Sequence, residues 1–116
     1  MIKRLHSGAR MSQIVIHNQT VYLAGQVDET DSGGPVDHQT RIILSQIDQL
    51  LAEAGTDKSK LLSATIYLTD MSQFDLMNQA WEEWVSAGNA PTRATVGVTA
   101  LAGDAYQVEI VVSAAL

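Results

Sequence analysis

The chain has 116 residues, 46% hydrophobic and 17% charged, a balance that fits one domain, residues 1–116, around one core and leaves little room for a disordered tail. Its 13 acidic and 7 basic residues give a formal charge of −6, and cations such as Arg4, Arg10, Arg41, Lys58, Lys60 and Arg93 are scattered, which argues against nucleic acid as a partner. The absence of cysteine removes disulfides, thiolate nucleophiles and Cys-based zinc sites, and fits a reducing compartment.

No apolar run approaches the roughly 20 residues needed to span a bilayer, and the opening MIKRLHSGARMSQ has no apolar segment of the kind that drives secretion. The expectation is a cytoplasmic protein with no membrane partner. Residues Ile2 to His6 read as a short first strand. Gln13 to Asn18 and Thr20 to Gly25 read as a hairpin turning at Asn18 and Gln19. Asp28 to Val36, rich in Asp, Ser, Gly and Pro, is the longest loop.

From Asp37 the period becomes helical. Ile43, Ile47, Leu50, Leu51 and Ala54 recur on one face, with Asp37 able to cap the first turn and Gly55 placed as the left-handed residue after the last. Leu62, Ala64, Ile66 and Leu68 alternate as a strand. Ser72, with Asp75 three residues on, resembles a capping box for a second helix carrying Phe74, Met77, Trp81 and Val85 and ending near Gly88. Two more strands, Arg93 to Thr99 and Tyr106 to Ser113, read as a closing hairpin turning at Gly103 and Asp104.

This order predicts an α/β (α+β) fold, a mixed β-sheet with two helices packed on one face. The other face, with Val15, Thr65, Tyr67, Thr95, Gly97 and Val111 as its expected members, is too apolar for full solvation, so a homo-oligomer covering it is expected.

The chemistry concentrates at Arg93 and Glu109. If the closing hairpin pairs residues whose numbers sum to an even value, both lie on the face away from the helices as diagonal neighbours. A guanidinium at a strand end is a natural grip for a carboxylate, and a nearby carboxylate can hold a water. A plain salt bridge is the competing reading. His6, His17 and His38 lack metal-site spacing, and Asp28, Glu29 and Asp31 do not form the oxygen ladder of a calcium loop, so no metal is expected. Trp81 and Trp84 read as core or interface anchors.

The segments VYLAGQV at Val21 to Val27, AEAG at Ala52 to Gly55, TIYLTDMSQFDLMNQAW at Thr65 to Trp81, APTRATV at Ala90 to Val96 and VEI at Val108 to Ile110 together resemble the RidA family. This family, also called YjgF, comprises enamine and imine deaminases. Trp81 and the stretch from Glu82 to Gly88 are similar to its YoaB-type branch. The resemblance implies a chorismate-mutase-like homotrimer with clefts between subunits and no cofactor. It implies that Arg93 binds a substrate carboxylate, that Glu109 positions the water attacking an imine carbon, that Gly25 offers a backbone contact, and that Asn78 lies near the cleft. Met11, Ala24 and Thr95 stand where the best-known members carry tyrosine, serine and cysteine. That change leaves carboxylate binding intact, suits a less polar substrate tail beside Met11, and keeps open a trimer that binds small carboxylates without turning them over.

Overall fold

A computed structural model describes residues 1–30 and 33–116, so Asp31 of the acidic loop lies outside the described residues. The elements are β1 (Lys3–Ser7), β2 (Ser12–His17), β3 (Thr20–Leu23), α1 (Val36–Ala54), β4 (Leu61–Leu68), α2 (Phe74–Trp84), β5 (Thr92–Gly97) and β6 (Val108–Ala115). They form one six-stranded sheet in the order β1-β2-β3-β6-β4-β5, with both helices on one face.

The β2–β3 turn forms where the sequence places it. Asn18 and Gln19 both take positive φ, 50° and 66°, the left-handed pair that a two-residue turn needs to match strand twist. Helix α1 also ends as expected, on Gly55 at φ 89°, whose N–H bonds back to the Ala52 carbonyl.

The helix starts differ from expectation. Pro35 precedes the first turn of α1, while Asp37 lies inside that turn and pairs with Arg41 four residues on. Ser72 is not a capping box either. Asp70 caps a single 3-10 turn, Met71–Gln73, by accepting from the Ser72 N–H, and α2 continues from it as far as Trp84, leaving Val85 outside with extended backbone.

The main correction concerns β5 and β6, which are not a hairpin. Residues 98–107 separate them, well beyond the loop of about two to five residues that joins adjacent antiparallel strands. The β4-α2-β5 segment is a crossover, so β5 lies parallel to β4 at the sheet edge. Strand β6 instead enters the middle, antiparallel to both β3 and β4. Its inward residues explain the choice: Val108, Ile110, Val112 and Ala114 are all buried, as suits a strand at the centre of the core.

Against them pack Ala64, Ile66 and Leu68 of β4, Ile43, Leu44, Ile47 and Leu51 of α1, and Met77 and Trp81 of α2. Each such aliphatic side chain contributes about 1.5–3 kcal/mol by leaving water. Among the described residues no helix is long and apolar enough to cross a membrane.

Candidate functional site

Residues paired directly across a ladder share a sheet face, so the register decides where each candidate points. Arg93 pairs with Ala64 and Thr95 with Ile66, both buried residues of the helix side. Arg93 and Thr95 therefore face the helices, contrary to the expectation of an outward face, and Gly97, paired with the buried Leu68, turns with them.

The Arg93 guanidinium carbon stands 5.9 Å from the centre of the Phe74 ring and 5.6 Å from that of Trp81. Phe74, Asn78 and Trp81, spaced four and then three residues apart on α2, form the stripe presented to it. Among the described residues no carboxylate or carbonyl takes up the guanidinium fork. Two residues on, the Thr95 hydroxyl is buried and has no hydrogen-bond partner among the described residues. Asn78 is half-buried, and its amide is likewise unpaired among the described residues.

Glu109 pairs with Tyr67, whose neighbours Ile66 and Leu68 are buried, and so it lies on the opposite, open face. Its setting is made by the chain just after β3. Gln26 and Ile110 exchange both backbone hydrogen bonds, at 2.9 and 3.0 Å, which draws residues 24–26 alongside β6. This brings the Gly25 Cα under the Glu109 carboxylate, where an added β-carbon would lie 2.5 Å from Oε2. No cation pairs with Glu109 among the described residues.

Within one chain the expected diagonal pair is therefore absent, and so is the plain salt bridge. Arg93 and Glu109 are separated by β4, three residues out of register along it, and on opposite faces. Strand spacing and rise put their backbones roughly 14 Å apart. Met11, 57% exposed just ahead of β2, is further still, about 19 Å from β5 across four strand steps. The structure thus makes two candidate half-sites, Arg93 with Thr95 and Asn78, and Glu109 with Gly25, and Met11 lies far from the first of them.

The contact of Phe74 and Trp81 with Arg93 was not foreseen from sequence. Both rings fit the apolar stripe of α2, and only the position of β5 shows that a cation lies over that stripe. Trp81 and Trp84 are the anchors expected of them, with ring centres 5.4 Å apart and the Trp84 indole N–H donating to Asp48 of α1.

A cavity of about 310 Å³ lies elsewhere, lined in part by His6, Gln13, Gln26, Gln46 and Glu53. His6 has positive φ, and its ring bonds to the Glu53 carboxylate. Among the described residues no cluster of His, Asp or Glu is arranged to hold a metal.

Known proteins resemble this chain in sequence and in fold. A family model described as Endoribonuclease L-PSP matches residues 1–116. The chain belongs to that family. A RutC family protein of Haemophilus ducreyi is 45% identical over 116 residues, covering 100% of this chain and 97% of that protein. RutC family protein YoaB of Escherichia coli is 44% identical over 115 residues, covering 99% and 98%. More distantly, the human 2-iminobutanoate/2-iminopropanoate deaminase is 28% identical over 106 residues, covering 86% of this chain and 77% of that protein.

Among solved structures, NMB1025 of Neisseria meningitidis, a member of the YjgF protein family, superposes with a TM-score of 0.94. It is 40% identical and covers 99% of this chain and 94% of its own. The mixed sheet with two helices on one face is thus the YjgF fold, as the sequence resemblance implied.

Proposed function

We propose that this YjgF-family chain is a cofactor-independent hydrolase of 2-imino and 2-enamino acids in the cytoplasm, releasing a 2-oxo acid and ammonia. It would act as a homotrimer whose clefts join the Arg93 side of one copy to the Gly25–Glu109 side of another, with Met11 at the rim. The observation that carries this reading is that each half-site holds a charge without a counter-charge among the described residues: a guanidinium on one face and a carboxylate on the other. Separated charges of this kind are costly to keep as mere decoration at a covered interface. The deaminase activity named for the human relative supplies the chemistry.

The steps follow from the groups. Arg93 grips the substrate carboxylate through its planar fork, and Thr95 and Asn78 orient the amino-acid portion. The enamine tautomerises to the imine, whose protonated nitrogen makes the attached carbon electrophilic. Glu109 takes a proton from water as the water oxygen bonds to that carbon and returns it to the amine nitrogen, and the carbinolamine then loses ammonia and its hydroxyl proton to leave the 2-oxo acid. Gly25 leaves room for the carboxylate to sit where that water must be.

The test generates imines with an amino-acid oxidase and traps them as semicarbazones, with and without the protein. Acceleration of imine loss by the wild type, abolished in Arg93→Ala with the fold retained, is the expected result; wild-type turnover in Arg93→Ala would sink the proposal. Binding of 2-oxo acids with no acceleration would instead make the chain a carboxylate-binding trimer. The altered positions Met11, Ala24 and Thr95 are what favour that second reading. Cleavage of RNA, the activity named in the family description, has the charge of −6 against it.

A further inference from the structure

We infer that Phe74 and Trp81 are positioning residues for Arg93, an aromatic cradle that aims its fork while leaving all its hydrogen-bond donors free for the substrate carboxylate. The inference rests on the reading of Arg93 as the carboxylate grip.

A free arginine side chain carries rotamer entropy that a binding event must remove unless the protein has already done so. The usual way to fix it is a carboxylate partner, but that partner occupies the N–H groups a substrate would need. Among the described residues Arg93 has none. What it has are two ring faces, at 5.9 and 5.6 Å, and cation–π attraction of this kind holds the guanidinium without a carboxylate or carbonyl acceptor.

The rings are themselves held. Trp81 is 5% exposed and stacks at a tilt on Trp84, which donates its indole N–H to Asp48 at 3.0 Å. Phe74 opens α2 directly after the turn that Asp70 caps. Rigid support of this kind, running from α1 through α2 to the edge strand, is what a binding group needs to stay in its productive geometry. On an edge strand such as β5, with no strand beyond it, nothing else would supply that support.

Two measurements separate positioning from simple packing. In the deaminase assay, Phe74→Leu keeps the apolar bulk but removes the π face. It should raise KM about tenfold with kcat nearly unchanged, and Phe74→Tyr should restore KM. In a Trp84→Phe background, where Trp81 is the single indole, pyruvate as probe should shift Trp81 emission on binding, and Arg93→Ala should erase that shift. The same titration gives a Kd for pyruvate that replaces KM if the chain proves to be a binder.

A wild-type KM or Kd in folded Phe74→Leu, or Trp81 emission indifferent to bound pyruvate, would overturn the cradle while leaving the Arg93-dependent function standing. Should Phe74→Leu fail to fold, the emission titration decides alone. Turnover that survives Arg93→Ala would remove the functional reading and the cradle together.

Discussion

Gly25 and Glu109 share a space that admits only one of their side chains: a β-carbon on Gly25 would stand 2.5 Å from Glu109 Oε2 and 3.0 Å from its carboxyl carbon. The atoms that would have to yield are the far end of a flexible side chain, so Gly25→Ala should fold with little loss of stability. The carboxylate, however, is pushed by about an ångström from where it would hold water. A displacement of that size is worth on the order of 10²-fold in rate. Gly25→Ala should therefore lose about that factor in kcat with a thermal midpoint near wild type. Full activity in a folded Gly25→Ala protein would remove Glu109 from the chemistry.

Gln39 ties the irregular segment 98–107 to the start of α1. Its side chain is 1% exposed, donates to the carbonyls of Gly34 and Ala105 at 2.9 and 3.0 Å, and accepts from the Gln107 N–H at 2.9 Å. Gln39→Leu preserves most of the volume but strands the Ala105 carbonyl and the Gln107 N–H, at about 1–3 kcal/mol for each group left buried and unpaired, while the Gly34 carbonyl keeps its bond from the Gln107 amide. Chemical denaturation should show a loss of a few kcal/mol in all, and amide exchange at Gln107 should accelerate more than exchange in β4. Uniform exchange rates across both would mean that Gln39 is not the tie.

The elements of this fold were legible because their signals are local. The left-handed pair Asn18–Gln19, the α1 stripe closed by Gly55, and the alternation of Ala64, Ile66 and Leu68 each lie within one window of sequence, although a register shift at the start of β4 buries Leu61 and exposes Leu62. Strand order was not legible, because β5 and β6 offer the same alternation whether they pair with each other or with β4. The face of Arg93 failed for a related reason. The apolar Val96 has the parity opposite to Arg93, yet on this edge strand Val96 is exposed on the open side, whereas Arg93 lies over aromatic rings. Hydrophobic parity marks the core only where the other face is polar. The separation of Arg93 and Glu109 onto opposite faces depends on β4 standing between them, which no local pattern encodes.

Acid should weaken the fold in a defined direction. The Asp37 carboxyl is held below the usual range chiefly by its bond from Arg41, Asp57 by Ser59, and Asp70 by Ser72. A carboxyl whose pKa is lower when folded binds fewer protons in that state, so its contribution is complete above the unfolded value and is lost as pH falls through the folded one. The loss should start near the ordinary aspartate value of about 3.9 and continue below it. Because Asp57 and Asp70 are exposed and Asp37 is only half-buried, the effect is modest. Urea midpoints should be flat from about pH 7 to 5 and fall below about pH 4, with a shallower fall in the Asp57→Asn, Asp70→Asn double variant. An unchanged acid slope in that variant would show that the two caps do not carry it.

Thr95 separates stability from function most sharply. Its hydroxyl is buried without a partner, on the face it shares with Arg93, and an unsatisfied polar group in that position destabilises the fold by about 1–3 kcal/mol. Thr95→Val keeps the branched shape and strand preference while removing the hydroxyl, so the variant should be more stable than wild type by about 1 kcal/mol, read as a higher urea midpoint. If that hydroxyl is held ready to orient substrate, the same change should lower kcat/KM by about tenfold. Gain of stability together with loss of activity is the mark of a group kept for binding at the expense of the fold. Gain of stability with activity intact would make Thr95 a packing residue and leave the Arg93 half-site to its guanidinium alone.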